Sequence, residues 1–285
     1  MSNASETLLP LLVYIQANLD GDLSLTALSR RAGLSPAYLH RIFKADIGET
    51  PKHYVERLRL ERCAFRLLIH DANLLDVALD CGFRNHETFT RAFRRRFGMT
   101  PSAYRDRMLA QHMNLARGTS ATMRQGFEVS ATKIVRLRAV DLAFIRHVGP
   151  YKSVPMALYD ELDHWAVRWG LAGSRIWMGL GHDAPIATPE SQQRFDAALV
   201  VPGPFVTDGR VGHQRLPSGE FALTTHAGPP DTLPTAYEII FPRLMRLAGY
   251  RLVGLPAVEM YHAATTNARH HLTYTDICLP VERVV

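Results

Sequence analysis

The chain is short of the features that would tie it to a secreted, membrane-bound or metal-loaded class. Its three cysteines, Cys63, Cys81 and Cys278, are odd in number and far apart. That excludes a disulfide framework, offers no metal-ligand spacing and suits reduced, buried thiols. Charges break every apolar run before the roughly 18 to 20 residues a membrane span needs, and no export signal precedes the first apolar segment. A cytoplasmic location is the expectation. The sequence spells out no phosphate-binding loop, metal cluster or catalytic triad, so no catalytic residue, cofactor or metal is expected. With 47% hydrophobic and 21% charged residues, no part has the composition of a disordered chain, and 285 residues leave room for two domains.

What is present is unevenly spread. The formal net charge is +6, of which 17 basic against 12 acidic residues put +5 in residues 1–120, leaving 16 against 15, or +1, in 121–285. A basic first half would attract a polyanion, and the second half needs a different partner.

The basic half also repeats itself. "LHRIFKADIGETPKHYV" from Leu39 and "FTRAFRRRFGMTPSAYR" from Phe89 place Leu39, Arg41, Phe43, Lys44, Gly48, Thr50, Pro51 and Tyr54 on Phe89, Arg91, Phe93, Arg94, Gly98, Thr100, Pro101 and Tyr104. Apolar spacing predicts helices throughout residues 5–110. Asp22 or Ser24 caps a helix that Gly33 ends; Ser35 caps the next, which has Pro36 in its first turn and stops at Gly48. A long helix runs from Pro51 to Ile69, after which the pattern restarts with "LLDVALDCG", a turn at Gly82, "NHETFTRAFRRRF", a stop at Gly98 and a short helix from Pro101. Helix, glycine turn, and a second helix with an apolar inner face is the plan of a helix-turn-helix, written twice.

A small, polar tract marks a linker over 113–126, and strands mixed with helices follow. "KIVRLRAVDLAFIRH", "SVPMALYDELDHWAVRWG", "IWMGLGHD" and "FDAALVVP" read as β-α-β-β, and the order returns from "GEFALTTHAGP" to "LTYTDICLPV". His147-Val-Gly149-Pro150 recurs as His226-Ala-Gly228-Pro229 at the same junction, which reads as turn architecture. Two such units would join into a curved sheet with a groove between their helices. On the strand around residue 259, alternation puts Glu259 and Tyr261 on one face, opposite Val258 and Met260. A carboxylate beside aromatic rings suits a cationic, apolar ligand, although a strand-end glutamate paired with Arg251 is equally compatible with the pattern. Tyr151, Trp177 and Trp165 lie on segments that would flank the groove and are the further ligand candidates. Asp183, Asp196 and Asp276, next to turns, read as caps of backbone N–H groups.

In the recognition helices, Leu39, Ile42 and Phe43, and Phe89 and Phe93, face inward. Ala37, Tyr38, His40, Arg41 and Lys44, and His86, Glu87, Thr90, Arg91 and Arg94, face outward.

Ala78-x-x-x-Gly82-Phe83, then Phe89-x-Arg91-x-Phe93-Arg94-x-x-x-Gly98-x-Thr100-Pro101-x-x-Tyr104, resembles the signature of AraC/XylS transcription regulators, with Ser29 where the first copy's motif usually has alanine. "RHVGPY", "GLGHDAP", "RFDAALVVP", "PAVEMY" and "YTDICLPV" resemble, in order, the GyrI-like effector-binding domain. The resemblance implies a multidomain chain. An all-α DNA-binding domain with two helix-turn-helix motifs over 5–112 would precede an α+β effector domain of two β-α-β-β repeats over 127–285. It implies base reading by Ala37, Tyr38, His40 and Arg41, and by His86, Glu87, Thr88 and Arg91, in two successive major-groove contacts on an asymmetric double-stranded DNA site. Arginine suits guanine, glutamate a cytosine amino group and alanine a thymine methyl, whereas Arg41 and Arg91 could instead pair with a carboxylate or a phosphate. Lys44, Arg94, Arg95 and Arg96 would hold phosphates. The resemblance also implies a small-molecule effector, a role for Glu259 in binding it, and RNA polymerase as a partner if the protein activates. The rival readings are that the second half hydrolyses a reactive small molecule or binds a protein.

Overall fold

A computed structural model of the chain describes residues 3–69, 73–118, 126–171, 175–254, 256–262 and 274–284. It divides into two compact units, residues 1–106 with 205–213, and residues 107–204 with 214–285.

The first unit holds α1 (Asn3–Ala17), α2 (Leu25–Ala32), α3 (Pro36–Ile47), α4 (Pro51–Ile69), α5 (Leu74–Asp80), α6 (His86–Phe97) and the start of α7 (Pro101–Gly118). Side-chain caps set the starts. The Ser24 hydroxyl accepts from Ala27 N at 3.2 Å, while Asp22 accepts from Ser24 N at 2.9 Å, so serine caps α2 and aspartate braces the cap. Ser35 caps α3, Asn73 caps α5 and Asn85 caps α6 in the same way. Gly33, Gly48 and Gly98 close α2, α3 and α6 in left-handed conformations. Ser29 is buried and its hydroxyl donates to Thr26 O at 3.1 Å, which satisfies it inside the preceding turn.

The duplication extends to the packing. Phe43 meets Tyr54 edge-on at 5.4 Å in the first copy, and Phe93 meets Tyr104 edge-on at 5.4 Å in the second. Leu28, Leu39, Phe43 and Leu58 anchor one core with α1, while Phe83, Phe89, Phe93 and Phe97 stack in the other.

The short helix expected from Pro101 instead runs to Gly118 and covers the first residues of the expected linker. "SAYRDRMLAQHMNLAR" contains no glycine or proline and many strong helix formers, so nothing stops the helix before Gly118. Linker residues 119–125 lie outside the described residues.

The second unit takes in the rest of α7 and, among the described residues, one ten-stranded sheet with two further helices. Its elements are β1 (Glu128–Val129), β2 (Lys133–Leu137), β3 (Val140–Val148), α8 (Ala157–Arg168), β4 (Trp177–Gly181), β5 (Arg194–Val201), β6 (Gly212–Leu216), β7 (Gly219–Ala227), α9 (Leu233–Leu244), β8 (Tyr250–Leu252), β9 (Ala257–His262) and β10 (Tyr274–Arg283). The sheet order is β1-β7-β10-β9-β4-β5-β3-β6, with β2 also on β7 and β8 on β10. Each repeat is a three-stranded antiparallel set, β3-β5-β4 and β7-β10-β9, and β4 and β9 join the sets. The strands ahead of each repeat cross over: β2 precedes β3 but pairs with β7, and β6 precedes β7 but pairs with β3. The β6 sequence, "GHQRL", has too little apolar alternation to announce a strand.

Register defines a local twofold. Leu180 opposes Asp196 as Met260 opposes Asp276, and Gly179 opposes Ala197 as Glu259 opposes Ile277. Across the β4–β9 junction Gly179 directly faces Glu259, so each occupies the other's equivalent position in its own repeat.

Candidate functional sites

Both recognition helices show the same burial. In α3, Leu39, Ile42 and Phe43 are buried while Ala37, Tyr38, His40, Arg41 and Lys44 are exposed; in α6, Phe89, Ala92 and Phe93 are buried while His86, Glu87, Thr88, Arg91, Arg94 and Arg95 are exposed. Each helix thus buries one face and turns the other, mostly polar, to solvent, as a helix that enters a major groove must. Arg41 stacks over the Tyr38 ring at 5.2 Å, which holds its guanidinium against the helix surface. The Thr88 hydroxyl donates to the Asn85 side-chain oxygen at 2.9 Å, so Thr88 also serves the cap. Thr90 is half-buried, with its hydroxyl 3.5 Å from His86 Nε2.

Arg96 departs from the expectation. Its Nη2 donates to Glu61 at 2.8 Å, and Glu61, only 5% exposed, also accepts from Arg57 at 3.3 Å. Arg57 in turn donates from Nε and Nη2 to Glu49, at 2.9 and 2.6 Å. This chain runs from the end of the first reader, through α4, to the second recognition helix. Arg96 therefore braces the readers, while Arg95, paired with Glu56, keeps most of its surface in solvent. Sequence reasoning missed Glu61; its signal was an acid among the buried positions of α4.

In the second unit Glu259 is buried, at 8% exposure. The Tyr237 hydroxyl donates to its Oε1 at 3.0 Å, and the Tyr261 hydroxyl lies 2.6 Å from its Oε2. Tyr261 also lies 3.3 Å from the Tyr159 hydroxyl, which is 3.2 Å from Met178 O. Burial pushes the Glu259 carboxyl above its ordinary range, and the two phenols oppose that shift without cancelling it. Glu259 and Tyr261 share a face, as alternation predicted, and no pairing with Arg251 occurs: Arg251 pairs with Glu282. Tyr159 follows the first buried residue of α8, Leu158, as Tyr237 follows the first of α9, Ala236. The two helices thus send phenols from similar positions into one cluster, Tyr237 to Glu259 itself and Tyr159 to the Tyr261 hydroxyl.

The other ligand candidates divide. Trp177 packs edge-on against Tyr159 at 5.9 Å and lies beside the cluster. Tyr151 is half-buried, its hydroxyl exchanging hydrogen bonds with the Asp183 backbone at 2.8 Å, and the Glu259 charge is among the causes that raise its pKa, behind burial. Trp165 joins Leu158, Leu162 and Ala166 in the buried stripe of α8 and stacks on Trp169 at 5.8 Å, so it belongs to the core. Space for Tyr261 comes from Gly179, where a Cβ would run into the Tyr261 hydroxyl and the Phe195 ring.

Of the aspartates read as caps, Asp183 does accept from a backbone N–H, that of Arg194 at 2.7 Å, and also grips its guanidinium. Asp196 is different: fully buried, it accepts from Arg146 at 2.7 and 2.8 Å and from Gln214 at 2.8 Å, and lies 2.6 Å from His182 Nε2. Burial alone would raise its pKa, but Arg146 and His182 outweigh burial and hold the carboxyl far below the usual range. Among the described residues no group of histidine, cysteine or acidic side chains could hold a metal ion, and no helix is long and apolar enough to cross a membrane.

Comparison with known proteins matches a helix-turn-helix domain to residues 28–107 and a GyrI-like small molecule binding domain to residues 130–282. The right origin-binding protein of Escherichia coli K12 is 38% identical over 95 residues, 33% of this chain and 33% of that protein. The regulatory protein SoxS of the same strain is 34% identical over 98 residues, 34% of this chain and 92% of SoxS. The match thus spans 33% of the length of the right origin-binding protein. Among solved structures, EcmrR in its DNA complex aligns with 91% of this chain and 99% of its own, at 18% identity and a TM-score of 0.47. Double helix-turn-helix motifs of the AraC type followed by a sheet domain matched over more than half the chain identify this protein as a member of the AraC family with a GyrI-like C-terminal domain.

Proposed function

We propose that the protein is a transcription activator that reads an asymmetric double-stranded DNA site with α3 and α6 and responds to a small cationic, aromatic or amphipathic effector bound at Glu259. DNA reading is assigned to residues 5–112, a linker to 113–126 and ligand binding to 127–285. Base contacts are assigned to Ala37, Tyr38, His40, Arg41, His86, Glu87, Thr88 and Arg91, and phosphate contacts to Lys44, Arg94 and Arg95. As an activator it would also meet RNA polymerase.

The observation that carries the ligand reading is a buried carboxylate whose neighbours are phenols and which has no cationic partner among the described residues. A structural carboxylate buried this deeply is ordinarily matched by a positive charge, as Asp196 is by Arg146. Here rings supply a surface a cation favours, and the matching charge is left for a ligand to bring. Thermal unfolding of the full chain with benzyltrimethylammonium and with neopentylbenzene, its neutral isostere, tests this. A ligand at about 100-fold its Kd stabilises by roughly 2.7 kcal/mol, and only the cation should do so. Equal shifts from both would remove charge recognition from the mechanism.

A further inference from the structure

Four charged side chains link the ends of the two recognition helices. Glu49 follows Gly48, the residue that closes α3, and accepts from Arg57 Nε and Nη2 at 2.9 and 2.6 Å. One turn further along α4, Glu61 Oε2 accepts from Arg57 Nη1 at 3.3 Å. Its other oxygen, Oε1, accepts from Nη2 of Arg96, in the last turn of α6, at 2.8 Å. The signs alternate from end to end, so two carboxylates balance two guanidiniums and the run needs no charge from outside. Its middle is shielded from water, with the Arg57 and Glu61 side chains 11% and 5% exposed, while Glu49 and Arg96 at the ends are more open.

Both ends fall where the repeat is broken. The fifty-residue offset that lays Phe43 on Phe93 lays Glu49 on Met99 and Asp46 on Arg96. The first copy supplies an acid where the second has methionine, and the second supplies a base where the first has aspartate. The run is therefore built between the copies, and in one direction only.

Apolar packing between helices is non-directional and tolerates small slides and rotations. Two guanidiniums bonded to one buried carboxylate do not, because each bond fixes a direction as well as a distance. We propose that Glu61 is a positioning residue for DNA recognition: it locks α3 and α6 at one separation and one rotation, and so makes the protein accept a single spacing of the two half-sites it reads. This rests on the reading that both helices enter the major groove. Fixing register, rather than adding net stability, is the best-attested use of a buried ion pair. One added base pair moves the second half-site by about 3.4 Å and turns it by roughly a tenth of a helical turn. Side chains on a locked helix cannot follow a shift of that size to the same base edges, whereas a helix released from Glu61 can. The parallel tie between Arg95 and Glu56 does not replace Glu61, since the Arg95 side chain is 71% exposed and an ion pair in solvent holds its geometry loosely.

The test is selection of binding sites from a pool of random DNA duplexes by the full chain, wild type beside Glu61→Gln and Arg96→Met, with thermal unfolding to establish that each is folded at the assay temperature. Glutamine keeps the shape of Glu61 but can accept from only one arginine. Methionine keeps an apolar stem at the open end of the run, where the cost to folding is smallest. The wild type should return two different half-sites at one separation, and both variants the same half-sites at two or more separations. Inserting one base pair between the half-sites should lower affinity, read by fluorescence anisotropy, about tenfold or more for the wild type and about threefold or less for the variants. A single separation from either folded variant would overturn the proposal. One half-site alone from the wild type would overturn the two-helix reading itself. Were Arg96 a phosphate ligand, Arg96→Met would weaken binding to every duplex alike and lower the salt slope by about one, a result that also overturns the proposal.

Discussion

Single residues carry separable loads. Arg91 is exposed on α6, and Arg91→Ala should weaken binding to the proper DNA site by about 1–3 kcal/mol if the side chain reads a base. The comparison with random DNA in a gel-shift or anisotropy assay decides: an equal loss on both assigns Arg91 to phosphate. Glu61 is the opposite case, buried between Arg57 and Arg96. Glu61→Ala removes the carboxylate that Arg57 and Arg96 share, while Arg57 keeps Glu49, and should cost about 1–3 kcal/mol in denaturant unfolding without touching the outward face of α6. The two acidic centres of the second unit should respond oppositely to pH. Asp196 has a depressed pKa, so its contribution is present above the unfolded-state value and lost as pH falls through the folded value. Glu259 has a raised pKa, so its contribution is full below the unfolded-state value and lost as pH rises through the folded one. Unfolding temperature against pH should therefore fall on the alkaline side in the ligand-free wild type, and that slope should flatten in Glu259→Gln. At this scale the outward faces of α3 and α6 and the pairing of Glu259 with Tyr261 were legible, because both follow from local periodicity. The bond from Tyr237 to Glu259 and the capture of Arg96 by Glu61 were not, because each joins residues more than 20 positions apart whose approach is set by packing.

Among the elements, the turn of the second helix-turn-helix is tightly constrained. Gly82 has φ +83°, and a Cβ there would lie 2.6 Å from Leu19 O and 2.7 Å from Arg59 Nε. Arg59 is itself fixed, donating to Leu19 O at 2.7 Å and to Gly21 O at 2.8 Å. Gly82→Ala should therefore destabilise by about 2 kcal/mol or more in denaturant melts, combining left-handed strain with a clash that cannot be relieved by rotating a free side chain. The starts of α2 and α3 were readable from serine caps, and helix ends from glycine, whereas the asparagine caps of α5 and α6 emerged only in the fold. The end of α7 was misjudged because a polar surface helix and a polar linker share a composition until a breaker appears. The strands β1, β6 and β8 were invisible for a related reason: each is short, and its pairing comes from the neighbouring strand.

Across the whole chain, the crossed arms make the two repeats of the second unit interdependent, since β2 is held by β7 and β6 by β3. Val206, 86% exposed between the repeats, offers a place to cut. A chain nicked there should stay together in gel filtration under native conditions and separate only in denaturant; separation without denaturant would show that the exchanged strands and the β4–β9 pairing together do not hold the repeats. The pairing of Gly179 with Glu259 at the twofold has a consequence for descent. Two identical halves closing about that axis would set like against like: glycine on glycine offers no charge, and glutamate on glutamate would crowd two carboxylates into one buried point. A single buried carboxylate at this point therefore needs the two copies to differ there, and the glycine opposite Glu259 is that difference.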